Sequence, residues 1–242
     1  MKYSEEFKKL VKNCIKSGAH VGGGNPNAKI LFVGKEAAYG DEKHEYNSNI
    51  NEWNLKTNNP ESQLHLEYND TFPGGHTWKK YQNLHDYIFP EFKPDKGMMN
   101  FQKRIFTTEM NDDPAKRTKT AQSKIDFKIK LQERKDMFFT EDFIQNFDVV
   151  VLACSGYIVN NEKNYEINNL FKVKYVGDDY KTIDGLKGTK HYSHGNWYFL
   201  HLNTNKTKLV IHTRQLSSNV NDNLLKDMGK IIREHLEKNA LL

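Results

Sequence analysis

Ile30-Leu31-Phe32-Val33 is the stretch that most narrows what this chain can fold into. Four apolar residues without alternation suit a strand covered on both faces, as in the middle of an α/β sheet. Asn25-Pro26-Asn27 precedes the run as a turn, and Gly34 follows where a side chain would obstruct the backbone leaving the strand. Asp148–Cys154 (DVVVLAC) repeats the pattern and ends in Ser155-Gly156. Such strands predict a mostly parallel sheet, and ligands of open α/β sheets bind at its carboxyl edge. Lys35 and Glu36 stand at that edge of the first strand. On their own they read as a solvated turn or as ligand-binding groups.

The rest of the chain supplies layers for that sheet. Phe7, Leu10, Val11, Cys14 and Ile15 recur at helical spacing over Ser4–Lys16, with Gly18 as the stop. Gly22-Gly23-Gly24 reads as a flexible connection, since a phosphate loop would open a helix. From Asp41 to Asp70 there is little periodicity, which predicts a long loop, and residues 71–75 (TFPGG) form a turn. His76–Ile88 is an amphipathic helix and Arg104–Asn111 a second strand with a polar exit. Thr140–Phe147 is a short helix; Asn168–Tyr175, Asn196–Leu202 and Lys208–His212 have strand character; Asn219–Asn239 closes the chain as a helix. With no repeat and no linker, the expectation is one three-layer α/β domain over residues 1–242, its central sheet flanked by helices.

The formal charge of +5 favours a polyanionic partner. The most basic tract is Pro114–Lys135, where Lys116, Arg117 and Lys119 open a run of cations that reads as a solvated helix face or a nucleic-acid contact. No apolar run is long enough to span a bilayer, so no membrane partner is expected. Cys14 and Cys154 give neither a disulfide framework nor an iron–sulfur site, which suits a reduced, cytoplasmic protein, read here as a monomer. His44, His65 and His76 have no metal-site spacing, and no cofactor is called for.

The last strand answers the first. Val210–Asn219 (VIHTRQLSSN) ends a strand at His212 and turns into the final helix, so an acid and a histidine leave strand tips that face one cleft. Gly34-Lys35-Glu36-Ala37-Ala38 and His212-Thr213-Arg214-Gln215-Leu216-Ser217 resemble the paired motifs of the uracil-DNA glycosylase superfamily, GQDPY and HPSPLS in its best-known branch. The second matches at His, Leu and Ser; Thr213 and Gln215 replace its prolines, and Ala38 stands where a tyrosine guards the first. From Ala28 to about Glu234 the order of pieces is also similar.

This resemblance implies a uracil-DNA glycosylase-like fold and hydrolysis of the N-glycosidic bond of uracil or another altered base flipped out of DNA, without a metal. Glu36 would orient the water and His212 stabilise the departing base. Gly34 and Lys35 would border the substrate, Phe72 would stack on the base, and Thr108 or Asn111 would read its edge. Leu216 would fill the vacated stack, with Ser217 and Ser218 on phosphates and Lys116, Arg117 and Lys119 along the DNA. The alternative is a nucleic-acid-binding protein that keeps the fold without the reaction.

Overall fold

The computed structural model describes residues 2–37, 44–59, 76–217 and 219–242. In chain order, α1 (Glu5–Ser17) leads to β1 (Gly23–Gly24), β2 (Ile30–Gly34), α2 (His44–Asn58), α3 (His76–Ile88) and β3 (Ile105–Glu109). Then come α4 (Thr118–Gln122), α5 (Phe127–Met137), α6 (Asp142–Gln145) and β4 (Val149–Leu152). A small hairpin, β5 (Asn160–Asn161) and β6 (Asn164–Tyr165), precedes α7 (Glu166–Phe171) and β7 (Lys174–Tyr175). The chain closes with β8 (Thr189–Tyr192), β9 (Asn196–Leu202), β10 (Leu209–Thr213) and α8 (Asp222–Lys238).

The sheet is mixed, with a parallel middle. β2 pairs in parallel with β3 on one side and β4 on the other, and β10 runs parallel beyond β4. Antiparallel strands finish both sides: β1 on β3, and β9, carrying β7 and β8, on β10. The register sets Val33, Thr108, Leu152 and His212 in one row across the four parallel strands. All four therefore release their chains at one edge.

Both faces are covered, which is why the apolar runs do not alternate. Leu31, Val33, Phe106, Val150, Leu152 and Val210 share a core with residues of α1, α2, α5, α6 and α7. Ile30, Phe32, Ile105, Val149, Val151, Leu209 and Ile211 pack under α3 and α8. From α8, Leu224, Leu225, Met228, Ile231 and Ile232 are fully buried, each contributing about 1.5–3 kcal/mol of transfer free energy. No helix among the described residues is long and apolar enough to cross a membrane.

Three expectations change. The glycine run is an edge strand, not a loose connection: a Cβ on Gly22 would stand 2.2 Å from Thr107 O, so only glycine lets β1 approach β3. Residues 44–58, expected in a loop, are helical although, among the side chains described there, only Asn49, Ile50 and Trp53 are buried. Trp53 Nε1 donates to Gly22 O at 2.7 Å and Asn49 Nδ2 to the same oxygen at 2.7 Å, so tertiary bonds stand in for amphipathicity. Asn168–Tyr175 is not one strand: α7 buries Ile167 and Phe171 a turn apart, Lys172 breaks it in a left-handed conformation, and only two residues pair with β9.

Candidate active site at the carboxyl edge of the parallel strands

Past the tip of β2 the main chain keeps the partner it had in the strand. Met110 N donates to Gly34 O at 2.9 Å, Asn111 N to Lys35 O at 2.8 Å and Ala115 N to Ala37 O at 3.1 Å. This pairing holds Glu36 in place without a helix to carry it. The Glu36 side chain is buried; its Oε1 accepts from Thr118 Oγ1 at 3.0 Å, and its Oε2 is buried with no geometrically regular hydrogen bond among the described residues. Beside it lies Tyr157, whose buried hydroxyl lies against the Glu36 carboxylate and Thr118. Burial, and then the Glu36 carboxylate, push the Tyr157 phenol well above its ordinary range. Lys35 Nζ stands 5.2 Å from the centre of the Tyr157 ring, closing the group on its outer side.

Glu109, the last residue of β3, brings a second carboxyl to the same tip. Its register partner is Gly34, and a Cβ on that glycine would stand 2.1 Å from Glu109 Oε2. The acid therefore lies across the end of β2, where only glycine leaves room. Its Oε2 is buried without a partner. Burial first and the nearby Glu36 charge second push its pKa up to about 8, against the pull of the Arg134 guanidinium. Two close carboxylates with little solvent between them cannot both ionise freely, so one keeps a proton near neutral pH.

His212 stands one strand beyond β4, and two beyond β2, in the row that holds Val33. At the usual strand spacing that puts its backbone roughly 10 Å from the β2 tip, with the end of β4 between them. Its Nε2 lies 2.9 Å from Ser155 O, so the neutral ring carries its proton there. Burial lowers the His212 pKa, and the Ser155 carbonyl opposes that shift. Trp197 packs edge-on at 4.8 Å between ring centres. Ser155 itself has φ of 49°, outside the usual range for a residue with a side chain, and its Oγ accepts from Gln215 N at 3.1 Å. That one residue ties the turn after β4 to the turn after β10.

The other sequence-derived candidates divide. Thr108 points away from the edge, donating from Oγ1 to Val21 O at 3.1 Å and accepting from Arg134 Nη2 at 3.0 Å. Asn111 folds onto its own loop, bonding Asp113 N at 3.3 Å and Asp113 O at 3.2 Å. Leu216 is fully buried in the core under α3 and α8, so it anchors the final helix instead of standing out as a wedge. Ser217 is half-buried beside it, with its N donating to Gln215 O at 3.1 Å. Phe72, Ser218, Ala38, residues 71–75, the parts of the 41–70 stretch outside residues 44–59, and the side chains of His44, His65 and His76 lie outside the described residues.

The basic tract is sorted by its ion pairs. Lys124 and Lys130 reach Asp113 at 3.0 Å and 3.6 Å, Lys135 reaches Glu166, and Arg134 is buried against main-chain oxygens. Lys116, Arg117 and Lys119 are exposed and make no ion pair among the described residues. They flank Thr118, the residue that bonds Glu36. Apart from the exposed Lys128 on α5, the tract's uncompensated positive charge among the described residues therefore lies at the rim of the two-carboxyl cluster.

Glu109, Thr118, Tyr157 and Ser155 escaped the sequence reading. The polar exit of RIFTTEMN was the available signal for Glu109, because it holds the one carboxyl at the end of an apolar strand. Neither family models, nor curated sequences, nor solved structures match this chain.

Proposed function

We propose that this chain is a DNA glycosylase that hydrolyses the N-glycosidic bond of uracil or another altered base extruded from DNA, a divergent relative of the uracil-DNA glycosylase superfamily. One observation carries the reading: Glu36 and Glu109 leave adjacent parallel strands, and His212 the parallel strand beyond β4, all at one edge of the sheet, beside three cations that make no ion pair among the described residues. In the reaction, Glu36 orients a water whose oxygen bonds to the sugar C1′ as the C1′–N bond breaks. The bond's electron pair leaves with the base, and the water's proton passes to the Glu36 carboxylate. His212 turns the Nε2 proton it now gives to Ser155 toward the departing base, whose negative charge it stabilises. Lys116, Arg117 and Lys119 neutralise phosphates of the strand.

The test is incubation of the purified chain with oligonucleotides carrying uracil or hypoxanthine, reading free base and abasic sites. Release of base supports the reading. Binding to those oligonucleotides without release favours a nucleic-acid-binding protein that keeps the fold and lost the reaction. Two observations favour that second reading: Leu216 is core, and the His212 proton is already engaged.

A further inference from the structure

Leu216 is buried under α3 and α8, so the turn after β10 offers no apolar tip, among the described residues, that could hold a duplex open. The corner between α4 and α5 does. There Gln122-Ser123-Lys124-Ile125-Asp126 leads into α5, and its apolar side chains turn both ways. Ala121, Phe127 and Leu131 point inward and are buried. Ile125 stands fully clear of the protein, at 103% relative exposure, and Ile129 one turn on is 62% exposed. Neither isoleucine belongs to the cores on the two faces of the sheet.

Cations surround that tip. Lys116, Arg117, Lys119 and Lys128 are exposed and make no ion pair among the described residues, while Lys124 and Lys130 are held by Asp113. The corner is also fastened to the acid cluster from both helices. Thr118, which opens α4, donates to Glu36 Oε1 at 3.0 Å. Phe127, which opens α5, packs edge-on against Tyr157 at 5.2 Å between ring centres. A partner that covers the isoleucines and the cations therefore lies beside Glu36.

We propose that the α4–α5 corner is the part of this chain that enters duplex DNA, Ile125 filling the gap left by an extruded base while Lys116, Arg117, Lys119 and Lys128 hold the phosphates on either side. This rests on the glycosylase reading above. An aliphatic side chain pushed between base pairs gives up no hydrogen bond and loses its exposed apolar surface against the faces of the bases. The cations around it supply the sequence-independent part of the affinity. Two other occupants fit less well. A second copy of this chain would set the same four cations against each other, and like charges oppose that contact. A bilayer would accept both kinds of residue, but two isoleucines bury less apolar surface than a single acyl chain, which on its own binds only marginally.

The experiment uses the full chain and a duplex carrying uracil with a fluorescent aminopurine as its neighbour. Wild type, Ile125→Ala and Ile125→Leu are compared after circular dichroism has matched their folds. Wild type brightens the aminopurine on binding, as the base beside the gap loses part of its stacking. Ile125→Ala loses that brightening. It also releases base from the duplex at least about tenfold more slowly, with single-strand release within about twofold of wild type, because only a paired stack must be held open. Ile125→Leu keeps both properties, and all three proteins share one salt slope, since no phosphate contact has changed. The proposal is overturned by an Ile125→Ala protein that brightens fully, or whose duplex release falls no further than its single-strand release. Absence of duplex binding by wild type overturns it too, and Ile125-dependent binding to phosphatidylserine vesicles in place of DNA overturns it in favour of a lipid surface. Brightening that depends on Ile125 with no base released upholds the wedge and sinks the glycosylase reading instead.

Discussion

Glu109 occupies the space that a side chain on Gly34 would need: its Oε2 lies 2.1 Å from the position of a Cβ there. The two residues are register partners at the ends of β3 and β2, so a side chain at position 34 meets the carboxyl end of Glu109 and not the backbone. Gly34→Ala therefore pushes the Glu109 carboxyl off the strand tip. The expected cost in stability is about 1–3 kcal/mol, the usual range for overpacking, while base release falls at least about tenfold. Unchanged release in a folded Gly34→Ala protein would separate Glu109 from the chemistry.

Holding a proton on Glu109 also shapes stability. Its pKa rises from an ordinary 4.5 to about 8 on folding, so the folded state binds the proton more tightly than the unfolded one. Below about pH 4.5 both states are protonated and nothing is lost. Between about pH 4.5 and about pH 8 the unfolded chain ionises the acid while the folded chain keeps it protonated, so stability drops across that window and levels off above it. Glu109→Gln removes the proton from the account. Its stability advantage in urea unfolding should be near zero at about pH 4.5 and grow towards about 4 kcal/mol by about pH 8. An advantage that is constant with pH contradicts the shift.

What the sequence made legible follows from how local each signal is. Ile30–Val33 and Asp148–Cys154 announce strands buried on both faces, and they occupy the middle of the sheet. Glu36 and His212 were found because each follows an apolar run directly. Glu109 also ends such a run, but one acid at a strand exit looks like a solvated residue until Gly34 is seen beneath it. Leu216 reads equally as wedge or anchor, because its burial comes from α3 and α8, far off in sequence. Helix α2 was missed since Ile50 and Trp53 are too few to set a period, and the bonds that fix it run to Gly22.

Leu216→Ala now tests an anchor. Removing a fully buried leucine from the core should destabilise the protein by about 2–5 kcal/mol. At temperatures where the variant stays folded, release from single-stranded and duplex substrates should fall by the same factor. A loss confined to duplex DNA would restore the wedge.

The exposed cations Lys116, Arg117 and Lys119 around the start of α4 should account for part of the salt dependence of DNA binding. Reversing Lys116, Arg117 and Lys119 to Glu removes three contacts, and each contact with a single strand contributes about 0.7 to the slope of log affinity against log salt. The slope should flatten by about 2 or more. Lys124→Glu serves as the comparison, since Lys124 is already bonded to Asp113, and it should flatten the slope less. A triple variant with the wild-type slope would place the DNA path elsewhere.

The central claim is that the carboxyl edge of the parallel strands cuts a glycosidic bond. The most direct measurement is single-turnover release of uracil from a single-stranded oligonucleotide by wild type, Glu36→Gln and His212→Ala, with DNA binding measured in parallel. The account predicts release by wild type, and a fall of about a hundredfold or more in each variant while binding stays within a few-fold. Wild-type protein that binds the oligonucleotide and leaves every base attached, or variants that release base at the wild-type rate, would contradict it.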